Sequence, residues 1–246
     1  MSFSIARTRA VIVKEIREFR RNRFIIATMV ILPIVFLIVP ISDLFRSAPA
    51  RLLQAQVGTS LLLLLIAPVV LPAAIAAYSI VGERDQGTLE PVLTTPVRRD
   101  ELLVGKATAA LLPSVGVAYV LFAIVVIAVR FGANPVVVDA VWQPQNFLAQ
   151  ALFAPLLAGW AIWVGIAIST RSSDVRVAQQ LATLGSLPPL GIVALMEYQV
   201  ISASVTLAII LAVILAAADV AGWTFVSTLF NRERLITGHK PTRAQP

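Results

Sequence analysis

The chain has 246 residues, of which 58% are hydrophobic and 13% are charged, and its mean hydropathy is +0.87. A water-soluble domain cannot bury so large an apolar fraction, so the composition excludes an ordinary soluble globular protein and indicates that lipid is the solvent. The net charge of +7 comes from basic residues that lie between long apolar runs. A nucleic-acid-binding protein would group such residues on one face, so we expect no nucleic-acid partner.

The chemistry open to the chain is limited by its cysteine and histidine content. It has no cysteine and one histidine, which excludes disulfides, cysteine nucleophiles and a metal centre built from histidine and cysteine. No Ser-His, Asp-Asp or His-Glu set occurs at a spacing that fits membrane spans, so an intramembrane enzyme is disfavoured.

Residues 1–23 form an amphipathic segment. Its apolar residues recur at helical spacing and its charged residues fall on the opposite side, which predicts an interfacial helix whose basic face meets lipid phosphates or a soluble partner. The alternative is a plain basic flank of the first span. With seven basic residues the segment is too charged for an ordinary cleavable leader, so we expect the first span to be retained. The apolar residues are Ile5, Ile12, Ile16 and Phe19, and the charged ones are Lys14, Arg17, Glu18 and Arg21.

Six uncharged apolar runs follow within residues 24–229, each near the roughly 20 residues that a helix needs to cross a bilayer. Prolines and small residues inside the runs predict kinked helices that approach closely, although small residues also serve as lipid-compatible filler. We predict one all-α transmembrane domain over residues 1–246. Its spans are 24–41, 57–81, 107–129, 147–170, 177–196 and 203–229.

The basic residues predict the orientation. Seventeen Lys and Arg residues flank one side of the runs and three flank the other. The basic side includes the N-terminus, the 82–106 loop and the 230–246 tail. Because basic residues favour the cytoplasmic side, we expect both termini in the cytoplasm.

The 82–106 loop is the most informative stretch. Gly87 can end the preceding helix in a left-handed conformation, and Thr88 can begin a short helix that Pro96 ends. Asp100 or Glu101 then favours the start of the next helix. This order predicts a rigid transverse helix that projects from the membrane. The alternative is a solvated charged loop, which would not need these residues in this order.

This loop resembles the first cytoplasmic loop of the membrane subunits of ABC transporters of the type-2 permease family. There the pattern is close to Glu-Arg-Glu-x-Gly-Thr-Leu-Glu-x-Leu-Leu-x-Thr-Pro-Val, followed by Glu-Leu-Leu-x-Gly-Lys. Asp85 replaces the usual second Glu, and Pro91-Val92 replace a bulkier apolar pair, so the detailed loop geometry is not carried over. The Gln-rich start of the predicted fifth span, at 178–181, also resembles this family. The matching loop residues are Glu83, Arg84, Gly87, Thr88, Leu89, Glu90, Leu93, Thr95, Pro96 and Val97, then Glu101, Leu102, Leu103, Gly105 and Lys106.

The resemblance implies that the loop's short helix, the coupling helix, docks into a separate ABC ATPase. It implies two copies of that ATPase, which carry ATP and Mg²⁺, and a second membrane subunit that is identical or related. The expected ATPase-docking residues are Glu83, Arg84, Gly87, Thr88, Leu89, Glu90, Thr95, Pro96 and Val97.

The chain itself lacks a Gly-x-x-x-x-Gly-Lys-Ser/Thr phosphate loop, so we expect no ATP hydrolysis and no bound cofactor on it. The expected function is export of an amphipathic small molecule, such as a drug, lipid or peptide-like compound, across a prokaryotic cell membrane. The alternative is export of sodium ions or transmission of mechanical work to a periplasmic partner.

Asp219 is the one carboxylate well inside an apolar run. An ionisable group at that depth favours a functional site for a proton, a cation or a cationic substrate. The alternative is a helix-packing role, with Asp219 bonded to Trp223 or to a neighbouring span.

Overall fold

The computed structural model describes residues 3–46, 49, 52–85, 87, 97–197 and 205–229, five of them by backbone alone. These residues form helices and no strands, which confirms the all-α prediction. The helices are α1 (Ile5–Phe19), α2 (Arg23–Leu44), α3 (Leu53–Asp85), α4 (Arg99–Gly132), α5 (Pro135–Val141), α6 (Pro144–Ser169), α7 (Val175–Glu197) and α8 (Val205–Leu229).

Five helices are long and apolar enough to cross a membrane. The helix α7 coincides with the predicted fifth span but is not among them, because its paired glutamines and prolines lower its mean hydropathy. The count of six spans therefore remains a prediction, and so does the orientation of the termini. The five segments are Ile25–Leu44, Leu53–Glu83, Arg99–Gly132, Pro144–Ser169 and Val205–Thr228.

The helices α3 and α4 are longer than a bilayer requires. They contain 33 and 34 residues, and at about 1.5 Å per residue each exceeds the roughly 30 Å hydrocarbon core by several turns. The end of α3 and the start of α4 lie together, with Glu83 and Lys106 2.9 Å apart, and the 82–106 loop connects them. The predicted left-handed glycine is confirmed, since Gly87 has a φ of 68° directly beyond α3.

Helix α3 is the centre of the bundle and packs against α2, α4, α6 and α7. It approaches α6 closely at Gly165, where a Cβ atom would lie 2.9 Å from the Cβ of Ala76. Nearby, Ser169 Oγ donates to the carbonyl oxygen of Ala77 at 2.6 Å and accepts from the amide of Val81 at 3.1 Å. The prediction that small residues bring helices together is confirmed at this contact.

One helix was not predicted. Asn134 accepts a hydrogen bond from the amide of Val136 at 3.1 Å, and Pro135 occupies the first turn of α5. An Asn cap followed by Pro is a helix-start signal. The seven-residue helix is too short to stand out by hydrophobic periodicity.

Candidate functional site

Helix α1 lies across the start of α4. The contact is closest at Gly105, where a Cβ atom would lie 2.5 Å from Cγ1 of Val11. Val11, Glu15 and Phe19 form part of the buried face of α1. A carboxylate on such a face needs partners, and α3 and α4 supply them.

Glu101 joins the first turn of α4 to the N-terminal end of α1. Its buried carboxylate accepts two hydrogen bonds from the Arg7 guanidinium, at 2.8 and 2.7 Å, and one from the Ser4 amide at 2.7 Å. It also accepts from the Arg98 amide at 2.8 Å, which begins α4 as the sequence predicted. The hydrogen bond to Glu101 raises the pKa of Arg7 above its ordinary value.

Lys106 lies at the centre of a second group of ion pairs. Its ammonium nitrogen is 2.9 Å from carboxylate oxygens of Glu15 and Glu83, and it donates to the carbonyl oxygen of Ser79 at 3.0 Å. Lys14 contacts the same oxygen of each carboxylate. The side chain of Lys106 is only 1% exposed, so its pairs with Glu15 and Glu83 are formed away from water, whereas Lys14 is 33% exposed.

Two lysines are shared among the carboxylates of this group. The carboxylates of Glu15, Glu18 and Glu83 have oxygens within 4.8 Å of one another, a spacing that a metal ion could bridge. Lys14 contacts all three, and Lys106 contacts Glu15 and Glu83. Burial by itself would lower the pKa of Lys14, but the attraction of Glu15 and Glu83 outweighs it, so the pKa is raised.

We call these residues of α1, α3 and α4 the loop-base cluster. Through them α1 contacts the last turn of α3 and the first turns of α4, which are the two ends of the 82–106 loop. The loop therefore leaves the bundle from a base held by charge-assisted bonds to buried carboxylates, and such bonds are the stronger class of hydrogen bond. The cluster comprises Arg7, Lys14, Glu15, Glu83, Glu101 and Lys106.

The predicted docking residues are only partly described. Glu83 lies inside the loop-base cluster, 5% exposed, and Arg84 is in the last turn of α3. Val97 is half-buried and packs against the core shared by α1, α3 and α4. The remaining residues between 88 and 96, which include the predicted coupling helix, lie outside the described residues. A docking role for these residues stays a prediction.

Asp219 faces α6 rather than Trp223. Its Oδ1 accepts a hydrogen bond from Trp163 Nε1 at 3.2 Å. A Cβ atom at Gly159 would lie 2.8 Å from Asp219 Oδ2, and one at Gly222 would overlap the Trp163 ring. A glycine of α6 therefore makes room for Asp219 of α8, and a glycine of α8 makes room for Trp163 of α6. This geometry supports the packing alternative, with a neighbouring span as the partner.

Residues 9–184 match the family model described as ABC-2 family transporter protein. The match covers well over half of the chain and includes most of α1, the loop and most of the bundle. The chain belongs to the ABC-2 transporter family. As a member of this family it is a multi-pass membrane subunit of an ABC transporter. The family implies that the transporter also has an ATPase partner. No curated protein matches this ABC-2 chain.

Sequence reasoning on this ABC-2 chain did not find the loop-base cluster. Glu15 lies one turn from Val11 and Phe19 on the packed face of α1. A carboxylate between apolar residues on such a face predicts that a cation of another helix lies opposite it, because a buried charge needs a partner. Lys106 was noted only as part of the loop pattern. The pairing itself depends on three helices that are distant in sequence, so no local pattern could supply it.

Proposed function

We propose that the chain is the permease subunit of an ABC exporter, which moves an amphipathic small molecule out of the cell while its 82–106 loop is docked on a separate ATPase. The observation that carries this proposal is the loop-base cluster. A loop that transmits force must have a stiff base, because a compliant one would absorb the motion. Ion pairs join α1 to both loop ends and give such a base: Lys106–Glu15 is buried, and Arg7–Glu101 and Lys14–Glu83 each join a partly exposed cation to a buried carboxylate.

In this proposal two ATPase copies bind ATP and Mg²⁺ and close, and their motion is passed to the coupling helices of two membrane subunits. Because α3 and α4 continue from the loop as long helices, a tilt at the loop end would move their far ends also. ATP binding thereby shifts the population between inward-open and outward-open states. The basic loops and termini lie in the cytoplasm of a prokaryotic cell.

A cavity at the opposite end of the bundle supports the proposal of an amphipathic substrate. It lies between the start of α3, the start of α6, the end of α7 and the start of α8, and its volume is about 170 Å³. This is below the roughly 300–1,000 Å³ that encloses a drug-sized molecule, so the cavity would accept part of one. Its lining combines amides and apolar side chains, among them Gln54, Gln143, Asn146, Leu152, Phe153 and Met196.

Transport by the reconstituted complex tests the proposal. Vesicles that contain the chain and its ATPase should accumulate amphipathic fluorescent dyes when ATP is supplied. Ala149→Phe, which fills the cavity, should reduce transport at least roughly tenfold, equivalent to about 1.4 kcal/mol. Ala217→Phe adds the same side chain at an exposed position of α8 and should leave transport near wild type. ATP hydrolysis that responds to sodium ions and to no dye would favour the alternative function.

A further inference from the structure

Helix α1 has an outward surface besides the face packed on α4. Ile5 is 80% exposed and Ile16 is 37% exposed, and Arg9 and Arg20 are also exposed. At 3.6 residues per turn these four side chains fall within about 60° of one another around the helix. The result is one strip in which isoleucine and arginine alternate along α1.

This strip lies on the side of α1 away from the loop. By the same helical geometry, Lys14 and Arg7 are about 160° from the middle of the strip, and they contact Glu83 and Glu101 at the loop ends. The buried face that contains Glu15 lies between the two sides. Helix α1 thus has the loop on one edge and the strip on the other.

The position of the strip along the chain places it beside a membrane. Only a short turn separates α1 from α2, and the first candidate span begins at Ile25. In the part of the chain that the structure describes, no carboxylate forms an ion pair with Arg9 or Arg20. A guanidinium binds phosphate through two parallel hydrogen bonds, and isoleucine favours the acyl boundary.

We propose that Ile5, Arg9, Ile16 and Arg20 form a docking strip for anionic phospholipid, with the arginines on headgroup phosphates and the isoleucines in the acyl boundary. A soluble acidic protein would satisfy the arginines but would not by itself account for the exposed isoleucines beside them. Docking adds a lipid contact to α1, whose Lys14 and Arg7 contact the loop ends. Anionic lipid therefore strengthens coupling to the ATPase. The effect on coupling rests on the proposed function, whereas lipid docking does not.

The absence of cysteine allows a clean test in the full chain. A nitroxide label on Val13→Cys, an exposed position beside the strip, would report the depth of α1 in nanodiscs of phosphatidylcholine with or without phosphatidylglycerol. We expect phosphatidylglycerol to shift the label from water into the interface. Arg9→Gln with Arg20→Gln should reduce the ratio of docked to undocked α1 roughly thirtyfold. Arg17→Gln with Arg21→Gln removes the same charge outside the strip and should have a smaller effect.

Three results would overturn the proposal: a label depth that does not depend on phosphatidylglycerol, equal losses in the two double variants, or burial of the label by the ATPase and not by lipid. ATP hydrolysis by the complex separates the two parts of the inference. If phosphatidylglycerol changes the depth of the label but not the rate of ATP hydrolysis, the effect on coupling is refuted and lipid docking stands. Failure to find any ATPase partner would refute the proposed function and leave the depth measurement unaffected.

Discussion

Replacing Lys106 with methionine should lower the free energy of unfolding by about 3–5 kcal/mol, the typical cost of removing one partner from a buried ion pair. Lys106 contacts Glu15 and Glu83 while almost fully buried. Without it, two neighbouring carboxylates share Lys14 alone and repel each other. Thermal unfolding in detergent, followed by tryptophan fluorescence, measures the loss.

Two variants act as controls for this prediction. Lys106→Met combined with Glu15→Gln removes one charge of each sign and should recover part of the loss. Asp100→Asn breaks the exposed pair with Arg98 and should change the free energy of unfolding by no more than about 1 kcal/mol. A Lys106→Met variant as stable as Asp100→Asn would show that the loop-base cluster does not hold the loop ends.

Gly222→Ala should destabilise the packing of α6 against α8 by about 1–3 kcal/mol, the usual cost of inserting a methyl group into a well-packed contact. The new Cβ atom would overlap the Trp163 ring. That ring cannot simply rotate away, because its Nε1 donates to Asp219 and the ring forms a T-shaped contact with Trp160, with centroids 4.6 Å apart. The midpoint of thermal unfolding reports the change.

Gly191→Ala is the matched control, since a Cβ atom at Gly191 meets nothing within 4 Å. Alanine is the better helix former, so this change should stabilise α7 by roughly 0.5–1 kcal/mol. Trp163→Leu in the Gly222→Ala background should recover stability relative to Gly222→Ala alone. Equal stability of the two glycine variants would contradict the described contact between α6 and α8.

Local signals in the sequence were sufficient for much of the fold. Uncharged runs of spanning length correspond to α2, α3, α4, α6 and α8, and a left-handed Gly87 was predicted at the place where α3 ends. Helix α7 shows the limit of this reasoning. It was predicted as a span because it is an uncharged apolar run of spanning length, while its glutamines leave it less apolar than the other long helices.

The candidate site was less predictable because its contacts are long-range. The loop pattern identified Glu83 and Lys106 as family residues without showing that they pair with each other beneath α1. The role of Asp219 depended on which helix faces it, and Trp163 is 56 residues away. Helical periodicity places a side chain on a face but does not select the neighbour of that face.

Co-purification of an ATPase tests the central claim most directly. The tagged chain would be isolated in mild detergent as wild type, as Glu90→Lys in the predicted docking helix, and as Asp139→Lys, an exposed charge reversal on α5 at the other end of the bundle. We predict that the wild type and Asp139→Lys each retain an ABC ATPase and that the still-folded Glu90→Lys variant loses it. Isolation of the wild type without an ATPase, or equal binding by all three chains, would contradict the account.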